Sequence, residues 1–223
     1  MKTILHIDAS ARKTDNPVAE YNSISKSIAS TFIKNWQALN NEDNIIYRDV
    51  GANPPDFISQ DWIAAVFTPD ASQTDTQKSL LSLSDTLIKE LEQADIIAMS
   101  TSMYNYGMPA SLKAWFDQVI RVHKTFSFDL ARGDFPLEPT LSGKTLVLIT
   151  SCGEFGFAKG GIREKMNHLT PHIKTLSRYL GVETVHEITA EYQEFNDGRH
   201  KLSVQNAHIA AENLAQELSI RNQ

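Results

Sequence analysis

A hydroxyl-rich stretch near the amino end of the chain is the first candidate for ligand chemistry. Ser10 opens it, and after a polar loop Ser23, Ile24 and Ser25 lead into a helical pattern. Serine hydroxyls and the unpaired backbone N–H groups of a helix N-terminus together bind phosphate. The Gly-Lys-Ser/Thr of ATP-hydrolysing proteins and the Gly-x-Gly-x-x-Gly of dinucleotide-binding folds are both missing. The pattern therefore favours a monophosphate, and the alternative that Asn22 or Ser23 only caps the helix stays open.

A second candidate segment, residues 102–109, holds two tyrosines directly before a helical pattern. Tyr104 and Tyr106 flank Asn105 at a strand end, where core packing does not require aromatic side chains. A planar ring could lie against them, and Asn105 offers both a donor and an acceptor to a uracil-like ring edge. The segment predicts a site for a flat heteroaromatic ligand, and a simple aromatic turn is the alternative.

Residues 151–161 form a third candidate segment, with four glycines in eleven positions. Glycine lets the backbone approach a flat ligand closely because it has no Cβ. Cys152 lies in this segment, but the sequence pairs no histidine with it, so a small loop residue is favoured over a nucleophile. His168 and His172 have the spacing of a helical metal pair. Pro171 stands between them and no third ligand is indicated, which favours surface histidines.

Strand and helix patterns alternate along the chain, and the candidate segments begin where predicted strands end. Stretches rich in β-branched and aliphatic residues predict strands at 3–8, 44–50, 95–100, 144–150 and 182–189. Apolar residues at helical spacing predict helices between them. The predicted helices are 22–38 with Ile24, Ile28, Phe32 and Trp36, one marked by Leu80, Leu83, Leu87 and Leu91, one marked by Leu112, Trp115, Phe116, Val119 and Ile120, then 166–180, ended by Gly181, and 204–220.

This alternation predicts an α/β fold, because parallel strands need crossover connections. The strands suit a flavodoxin-like, doubly wound, five-stranded parallel sheet in the order 2-1-3-4-5, with helices on both faces. Ligands bind such sheets outside the carboxyl ends of the strands, at the switch point between the first and third strands. Stretches 53–55, 68–77 and 132–143 are typical of surface connections and not of linkers. Residues 1–223 are therefore predicted to form a single domain.

Composition and charge exclude several function classes. The 223 residues include 21 Lys and Arg against 27 Asp and Glu, a formal net charge of −6, and no basic cluster, which argues against nucleic-acid binding. The single cysteine excludes an intrachain disulfide and favours a reducing compartment, by default the cytoplasm. The first apolar stretch ends at Asp8, too early for a signal-peptide core or a membrane span.

The candidate segments together resemble the FMN-dependent NADH azoreductase and quinone reductase family of flavodoxin-like enzymes. Residues 103–106 read Met-Tyr-Asn-Tyr, and 109–117 read Pro-Ala-Ser-Leu-Lys-Ala-Trp-Phe-Asp before Thr125 and Phe126. These are similar to the family's Met-Tyr-Asn-Phe segment, its Leu-Lys-x-Tyr/Phe-x-Asp helix and its Thr-Phe. The resemblance covers nearly the whole chain. It departs at Cys152 and Glu154, where the family usually has Arg and Gly, and at His123 and residues 128–140.

The resemblance implies bound FMN, NADH or NADPH as co-substrate, and two-electron ping-pong transfer to quinones or azo compounds. The implied cofactor-binding residues are Ser10, Ser23, Ile24 and Ser25 at the phosphate, Met103, Tyr104, Asn105 and Tyr106 along the ring, and Ser151, Cys152, Gly153 and Glu154 at its other edge. Phe126 is implied near the substrate, with the partner subunit of a homodimer as one source. The resemblance implies no catalytic side chain and no metal, since FMN carries the chemistry.

Two other functions of this fold are alternatives. A flavodoxin-like electron carrier passes electrons to a protein partner, but its usual Thr/Ser-Gly-Asn-Thr-like phosphate loop is absent after the first strand. A response-regulator-like receiver has the same strand order but needs clustered acids there, and Asp8 alone is insufficient. The enzyme hypothesis is therefore preferred.

Overall fold

The computed structural model describes residues 1–220 of the chain. Its strands are β1 (Thr3–Asp8), β2 (Asn44–Asp49), β3 (Ile96–Ser102), β4 (Phe126–Phe128), β5 (Leu137–Pro139), β6 (Lys144–Ser151) and β7 (Val182–Ala190). Its helices are α1 (Ile24–Leu39), α2 (Gln60–Val66), α3 (Asp75–Gln93), α4 (Ala110–Val119), α5 (Thr170–Ser177) and α6 (Gly198–Ile220). In residues 1–220, no helix is both long enough and apolar enough to cross a membrane.

The main sheet is parallel and has the strand order β2-β1-β3-β6-β7. This confirms the predicted order 2-1-3-4-5. The central strands β3 and β6 are almost wholly buried, as their continuous apolar sequences predict, because both of their faces are covered. The edge strands β2 and β7 are more exposed.

Alternate residues of the central strands join different hydrophobic cores, because successive side chains point to opposite faces of a sheet. Leu5, Ile7 and Ile97 pack with side chains of α3, α4 and α5. Ile4 and Ile96 pack with side chains of α1 and α6. The helices hold the sheet between two layers, and the loops after β1, β3 and β6 leave it at one edge.

The predicted helical stripe is correct for α1, and for α3 it is correct at Leu83, Leu87 and Leu91 but wrong at Leu80. Helix α1 begins at Ile24, because Ser23 caps it and its Oγ accepts the Lys26 N–H at 3.3 Å. In α3 the buried stripe includes Leu81, which is 1% exposed, whereas the predicted Leu80 is 39% exposed.

The helix predicted over residues 166–180 is wrong in its first part. The chain leaves helical geometry at Asn167, whose Oδ1 accepts the N–H groups of Leu169 and Thr170, both at 3.1 Å. Helix α5 then starts at Thr170, with Pro171 in its first turn, where a missing N–H costs nothing. The helical stretch ends before Gly181, which has φ of 82°, as predicted. The start of α6 at Gly198 is also earlier than the predicted residue 204.

Two features of the structure were not predicted. Helix α2 is capped by Ser59, whose Oγ accepts the Trp62 N–H at 3.1 Å, and Trp62 packs against Leu81 of α3. Strands β4 and β5 form an antiparallel hairpin with Phe126 opposite Pro139, partly within the stretch 132–143 predicted as a loop. These strands have three residues each, too few for an alternating pattern to be recognised.

Candidate functional site

The loops after β1, β3 and β6 contact one another at the carboxyl edge of the sheet. The Ala11 N–H donates to the Tyr104 hydroxyl at 3.2 Å, which joins the first loop to the second. The Met103 N–H donates to the Ser151 carbonyl at 2.8 Å. The hydroxyls of Ser102 and Ser151 lie 3.2 Å apart, which joins the second loop to the third. The structure therefore brings the three candidate segments together.

Serines of the first loop surround the N-terminus of α1. Ser10, Ser23 and Ser25 are buried, and the Oγ atoms of Ser23 and Ser25 lie 3.4 Å apart. Ser23 does cap the helix, yet its hydroxyl still has a proton to donate to a ligand. In the described part of the chain, the N–H groups of Ile24 and Ser25 donate to no acceptor. Hydroxyls and unpaired amides at the positive end of a helix fit a phosphate group.

Access to these groups differs from residue to residue. Ser23 and Ile24 line a cavity of about 520 Å³, which Arg12 also borders. Ser10 and Ser25 are fully buried, and Ser10 Oγ already accepts the Arg12 N–H at 3.2 Å. The geometry therefore supports Ser23 and Ile24 as phosphate contacts more directly than Ser10 and Ser25.

The buried lysine of this helix end is already paired. Lys26 lies in the first turn of α1, and its Nζ is 2.6 Å from Asp49 Oδ2. The other oxygen of Asp49 accepts the Ala52 N–H at 2.9 Å. Because the charge of Lys26 is balanced within the protein, a phosphate here relies on amides and hydroxyls, in keeping with the acidic composition.

Asp8, at the end of β1, is buried and fully hydrogen-bonded. It accepts from Ser100 Oγ at 2.5 Å and from the Tyr47 hydroxyl at 2.9 Å, and it lies 3.1 Å from His6 Nε2. Burial raises the pKa of Asp8, but these three partners outweigh it and hold the pKa below the ordinary 3.8. Burial and the adjacent Asp8 charge raise the pKa of Tyr47. Asp8 therefore links three strands and is not part of a receiver-type acidic cluster.

The second loop ends in a tight turn with a strained backbone. Tyr104 and Gly107 exchange two backbone hydrogen bonds, both of 3.0 Å. The central residues Asn105 and Tyr106 have φ of 48° and 66°, the left-handed pair of a type I′ turn. Such strain in residues other than glycine is concentrated at functional sites. The turn leaves the side chains of Tyr104, Asn105 and Tyr106 exposed at the sheet edge.

Carbonyl groups of the third loop are held by the connection that follows β7. The carbonyls of Cys152, Gly153 and Glu154 accept from the N–H groups of Gln193, Glu194 and Tyr192 at 3.3, 3.0 and 3.0 Å. Among the described residues, nothing accepts from the N–H groups of Gly153 and Glu154. Because its carbonyls are engaged, this part of the loop offers donors to a ligand.

Cys152 anchors the third loop to β7. Its N–H donates to the Ala190 carbonyl at 2.9 Å, and its Sγ lies 3.7 Å from the same oxygen. Burial, together with the charges of Glu191 and Glu154, raises the pKa of Cys152 to about 12. A thiol with such a pKa is not a nucleophile at neutral pH. Its polar atoms are also engaged, so any contact of Cys152 with a ligand is apolar.

Glu154 is the second position, after Cys152, at which this loop departs from the family that the sequence resembles. Its Oε1 lies 2.8 Å from Nε of Arg163, and Arg163 Nη1 donates to the Phe155 carbonyl at 3.0 Å. The carboxylate is therefore neutralised by a residue of the same loop. Together, Cys152 and Glu154 place neither a thiolate nor an unpaired carboxylate in the site.

Phe126 lies apart from the three loops of its own chain. Its ring packs edge-on against Tyr179, with centroids 5.8 Å apart, and Tyr179 lies just before the start of β7. Phe126 is therefore toward the amino ends of the strands, whereas the loops follow their carboxyl ends. These two ends of the sheet are separated by about the length of a strand, and the eight residues of β6 span about 26 Å.

The connection after β7, residues 191–197, borders the third loop but was not among the segments predicted to form the site. Tyr192 and Phe195 of this connection contact Phe155 of the third loop. The signal is present in the sequence, because this connection also begins at the carboxyl edge and, like the second loop, carries two aromatic residues. His168 and His172 are exposed, and residues 1–220 contain no cluster of three side chains suited to a metal.

Known sequences are similar to this chain over nearly its whole length. A family profile described as flavodoxin-like fold matches residues 2–214. The chain is 67% identical over 218 residues to FMN-dependent NADH:quinone oxidoreductase 2 of Colwellia psychrerythraea, covering 98% of this chain and 100% of that protein. It is 62% identical over 220 residues to the protein of the same name from Idiomarina loihiensis, covering 99% of this chain and 92% of that protein.

Solved structures share the fold at much lower sequence identity. An FMN-dependent NADH-azoreductase from Bacillus anthracis in complex with FMN has a TM-score of 0.83 at 18% identity, covering 98% of this chain and 100% of that chain. Another azoreductase structure from Bacillus anthracis has a TM-score of 0.82 at 16% identity, covering 97% of this chain and 100% of that chain. These similarities concern the fold alone.

Proposed function

Because the chain belongs to the flavodoxin-like family of FMN-dependent NADH:quinone oxidoreductases, we propose that it is an FMN-dependent NADH:quinone oxidoreductase with azoreductase activity. The observation that carries the proposal is the meeting of three loops with hydroxyls, unpaired N–H groups and exposed tyrosines at one sheet edge. When bound, FMN supplies the two-electron chemistry, accepting hydride from the nicotinamide and reducing a quinone or azo compound in ping-pong order.

The role of the protein itself is to bind FMN and to orient its ring. The proposed contacts are Ser10, Ser23, Ile24 and Ser25 at the phosphate, Met103, Tyr104, Asn105 and Tyr106 along the ring, and Ser151, Cys152, Gly153 and Glu154 at its other edge. Ser23 and Ile24 are the phosphate contacts that border a cavity. The N–H groups of Gly153 and Glu154 are fixed donors, of the kind that stabilises negative charge where it develops.

We propose NADH as the hydride donor, because the relatives at 67% and 62% identity are named for NADH. Initial rates with NADH and NADPH at equal concentration test this choice. A higher kcat/KM with NADPH contradicts it.

We propose that the protein acts as a homodimer in which the β4–β5 hairpin of one subunit lies near the loops of the other. Phe126 lies away from its own loops, and the hairpin carries exposed apolar side chains at Leu130 and Phe135, which are 74% and 83% exposed. A solvated monomer rarely exposes several such side chains in one region. Light scattering is expected to give twice the chain mass of 24.9 kDa, and the mass of one chain contradicts the proposal.

Residues 1–223 are proposed to form a single domain, because both cores of the described part pack on one sheet. We also propose a cytoplasmic location. The free thiol of Cys152 supports it, since such thiols persist in reducing compartments.

Two variants of Ser23 separate phosphate binding from helix capping. Asn and Asp cap helices about as well as Ser, but only Asp adds a negative charge beside a phosphate. Ser23→Asp is expected to weaken FMN binding by about tenfold or more, while riboflavin, which lacks the phosphate, is affected little. Ser23→Asn is the matched control and retains FMN. Fluorescence titration of the apoprotein measures both ligands, and equal FMN affinity of the two variants contradicts a phosphate site at Ser23.

Stopped-flow reduction of the FMN-loaded protein tests the enzymatic function. Rapid bleaching of the flavin by NADH, followed by reoxidation with 1,4-benzoquinone or an azo dye such as methyl red, is expected. A protein that takes up no FMN contradicts the proposal. Inertness toward NADH, with a stabilised one-electron state, favours the electron carrier instead.

A further inference from the structure

The connection after β7 is attached to the third loop by more than backbone hydrogen bonds. The Phe155 and Tyr192 rings are stacked, with centroids 4.5 Å apart and planes at 16°. Phe195 stands edge-on to both rings, at 5.6 Å and 5.9 Å. We call Phe155, Tyr192 and Phe195 the aromatic cluster.

Two arginines cover the aromatic cluster. The Arg163 guanidinium lies 4.8 Å from the Phe155 ring centre and is ion-paired with Glu154. The Arg199 guanidinium lies 4.8 Å from the Phe195 ring and 5.0 Å from the Tyr192 ring, and it is paired with Asp197 at 2.7 Å. Guanidinium groups at such distances are attracted to ring faces. The Arg199 guanidinium also lies 5.9 Å from the Phe155 ring, so Arg199 contacts rings of both segments, whereas Arg163 contacts only the ring of its own loop.

The backbone of the connection is adapted to this packing. Tyr192 and Asn196 have φ of 67° and 45°, in the left-handed region that side chains other than glycine rarely adopt. At Gly153, a Cβ would lie 2.5 Å from Cγ of Glu194, so this glycine lets the Glu194 side chain lie against the backbone of the third loop. The strained backbone of Tyr192 and Asn196 indicates that the mutual position of the two segments is specified.

We propose that Tyr192 and Arg199 are positioning residues for the flavin: they hold the third loop so that the N–H groups of Gly153 and Glu154 point to the ring. This rests on the proposed function. The connection takes up the carbonyls of residues 152–154, and the amides of Gly153 and Glu154 are left for the ligand. Donors fixed in this way favour the reduced, more negative state of the ring over the oxidised state.

The first test compares Arg199→Ala with Arg178→Ala. Arg178 covers the Tyr179 ring at 4.7 Å, away from the third loop, and is a matched exposed arginine. Arg199→Ala is expected to raise the FMN dissociation constant about two- to fivefold and to shift the midpoint potential of bound FMN to a more negative value. Arg178→Ala leaves both unchanged. Equal behaviour of the two variants overturns the proposal.

A second pair of variants separates positioning from folding. Tyr192→Gly removes the ring but tolerates the positive φ, so the fold is not strained further, and Tyr192→Phe retains the ring. We expect Tyr192→Gly to weaken FMN binding and lower its potential with an unchanged circular dichroism spectrum, and Tyr192→Phe to restore both. A wild-type potential in Tyr192→Gly overturns the proposal. Failure of the wild-type protein to bind FMN refutes the proposed function instead, so the two failures are distinguishable.

Discussion

The loops after β3 and β6 border the same site but are held in different ways. The loop after β3 is closed by its own residues, through the two hydrogen bonds between Tyr104 and Gly107. The loop after β6 is held by residues far along the chain, such as Tyr192, and by the close approach of its own glycines. A locally closed turn forms wherever its residues permit it, whereas the other loop keeps its shape only while a second segment is in place.

This difference assigns different roles to the two loops. The turn at Asn105 and Tyr106 is a short platform whose geometry depends on left-handed backbone angles. The loop after β6 presents N–H donors whose direction depends on long-range packing. Local substitutions are therefore expected to act on the loop after β3 through backbone strain and on the loop after β6 through steric contact.

Gly161→Ala is expected to have the largest effect. A Cβ at Gly161 would lie 2.3 Å from the Gly156 carbonyl oxygen and 2.9 Å from that of Ala158, and both are backbone atoms that cannot move independently. We expect a loss of about 1–3 kcal/mol in the free energy of unfolding and weaker FMN binding. Urea denaturation and FMN titration measure the two quantities.

Gly107→Ala is the matched control in the other loop. The nearest atom to a Cβ at Gly107 is the Tyr104 carbonyl oxygen at 4.0 Å, so the added methyl group is accommodated. The change in the free energy of unfolding is expected to stay within about 0.5 kcal/mol. Equal losses in Gly107→Ala and Gly161→Ala would contradict the distinction between the loops.

Asn105→Val is expected to have the next largest effect. A β-branched residue at φ of 48° strains the turn, and we expect a loss of about 1–2 kcal/mol in the free energy of unfolding, with weaker FMN binding and lower turnover. Asn105→Ala is expected to show smaller losses of stability, FMN binding and turnover than Asn105→Val. Asn105→Gly permits the backbone angle but lacks the side-chain amide, so its stability is expected to be close to wild type. If Asn105→Gly is as unstable as Asn105→Val, the backbone argument is wrong.

His168→Ala is the control at the edge of the same turn. Its backbone N–H donates to the Tyr106 carbonyl at 3.0 Å, and alanine retains this donor. The imidazole is exposed, so FMN affinity and turnover are expected to be unchanged. Losses of FMN affinity and turnover equal to those of Asn105→Ala would contradict the assignment of Asn105 to the FMN site.

The same distinction explains how much could be predicted from the sequence. The apolar runs of β1, β3 and β6 predict the sheet, because strands buried on both faces need them. Since the strand order brings their carboxyl ends together, the three loops follow from it. The cap at Ser23 is equally local. These features depend on residues that are close in sequence.

Features that depend on distant residues were missed. The aromatic cluster joins Phe155 to Tyr192 and Phe195, and no local pattern links them. The position of Phe126 depends on a hairpin with strands of only three residues. In both cases tertiary packing selects a geometry that local propensity does not. The turn at Asn105 and Tyr106 is closed locally, but it was missed because it lacks the Asn-Gly pair that usually indicates a left-handed turn.

The ionisation of Cys152 is expected to have the smallest effect on stability at neutral pH, although this residue anchors the loop after β6. Its pKa of about 12 in the folded protein lies above the ordinary 9.0, so folding favours the neutral thiol. The resulting stability is fully present below pH 9 and is lost as the pH rises from 9 toward 12. Relative to Cys152→Ala, which does not titrate, the wild-type protein is expected to lose about 1 kcal/mol between pH 7.5 and pH 10. Urea denaturation of both proteins at the two pH values measures this difference.

At pH 8 the native thiol of Cys152 should also react with iodoacetamide far more slowly than the thiol of the urea-unfolded chain. Equal reaction rates would show that the thiol is accessible, and the loop after β6 would then be no more firmly anchored than an exposed surface loop.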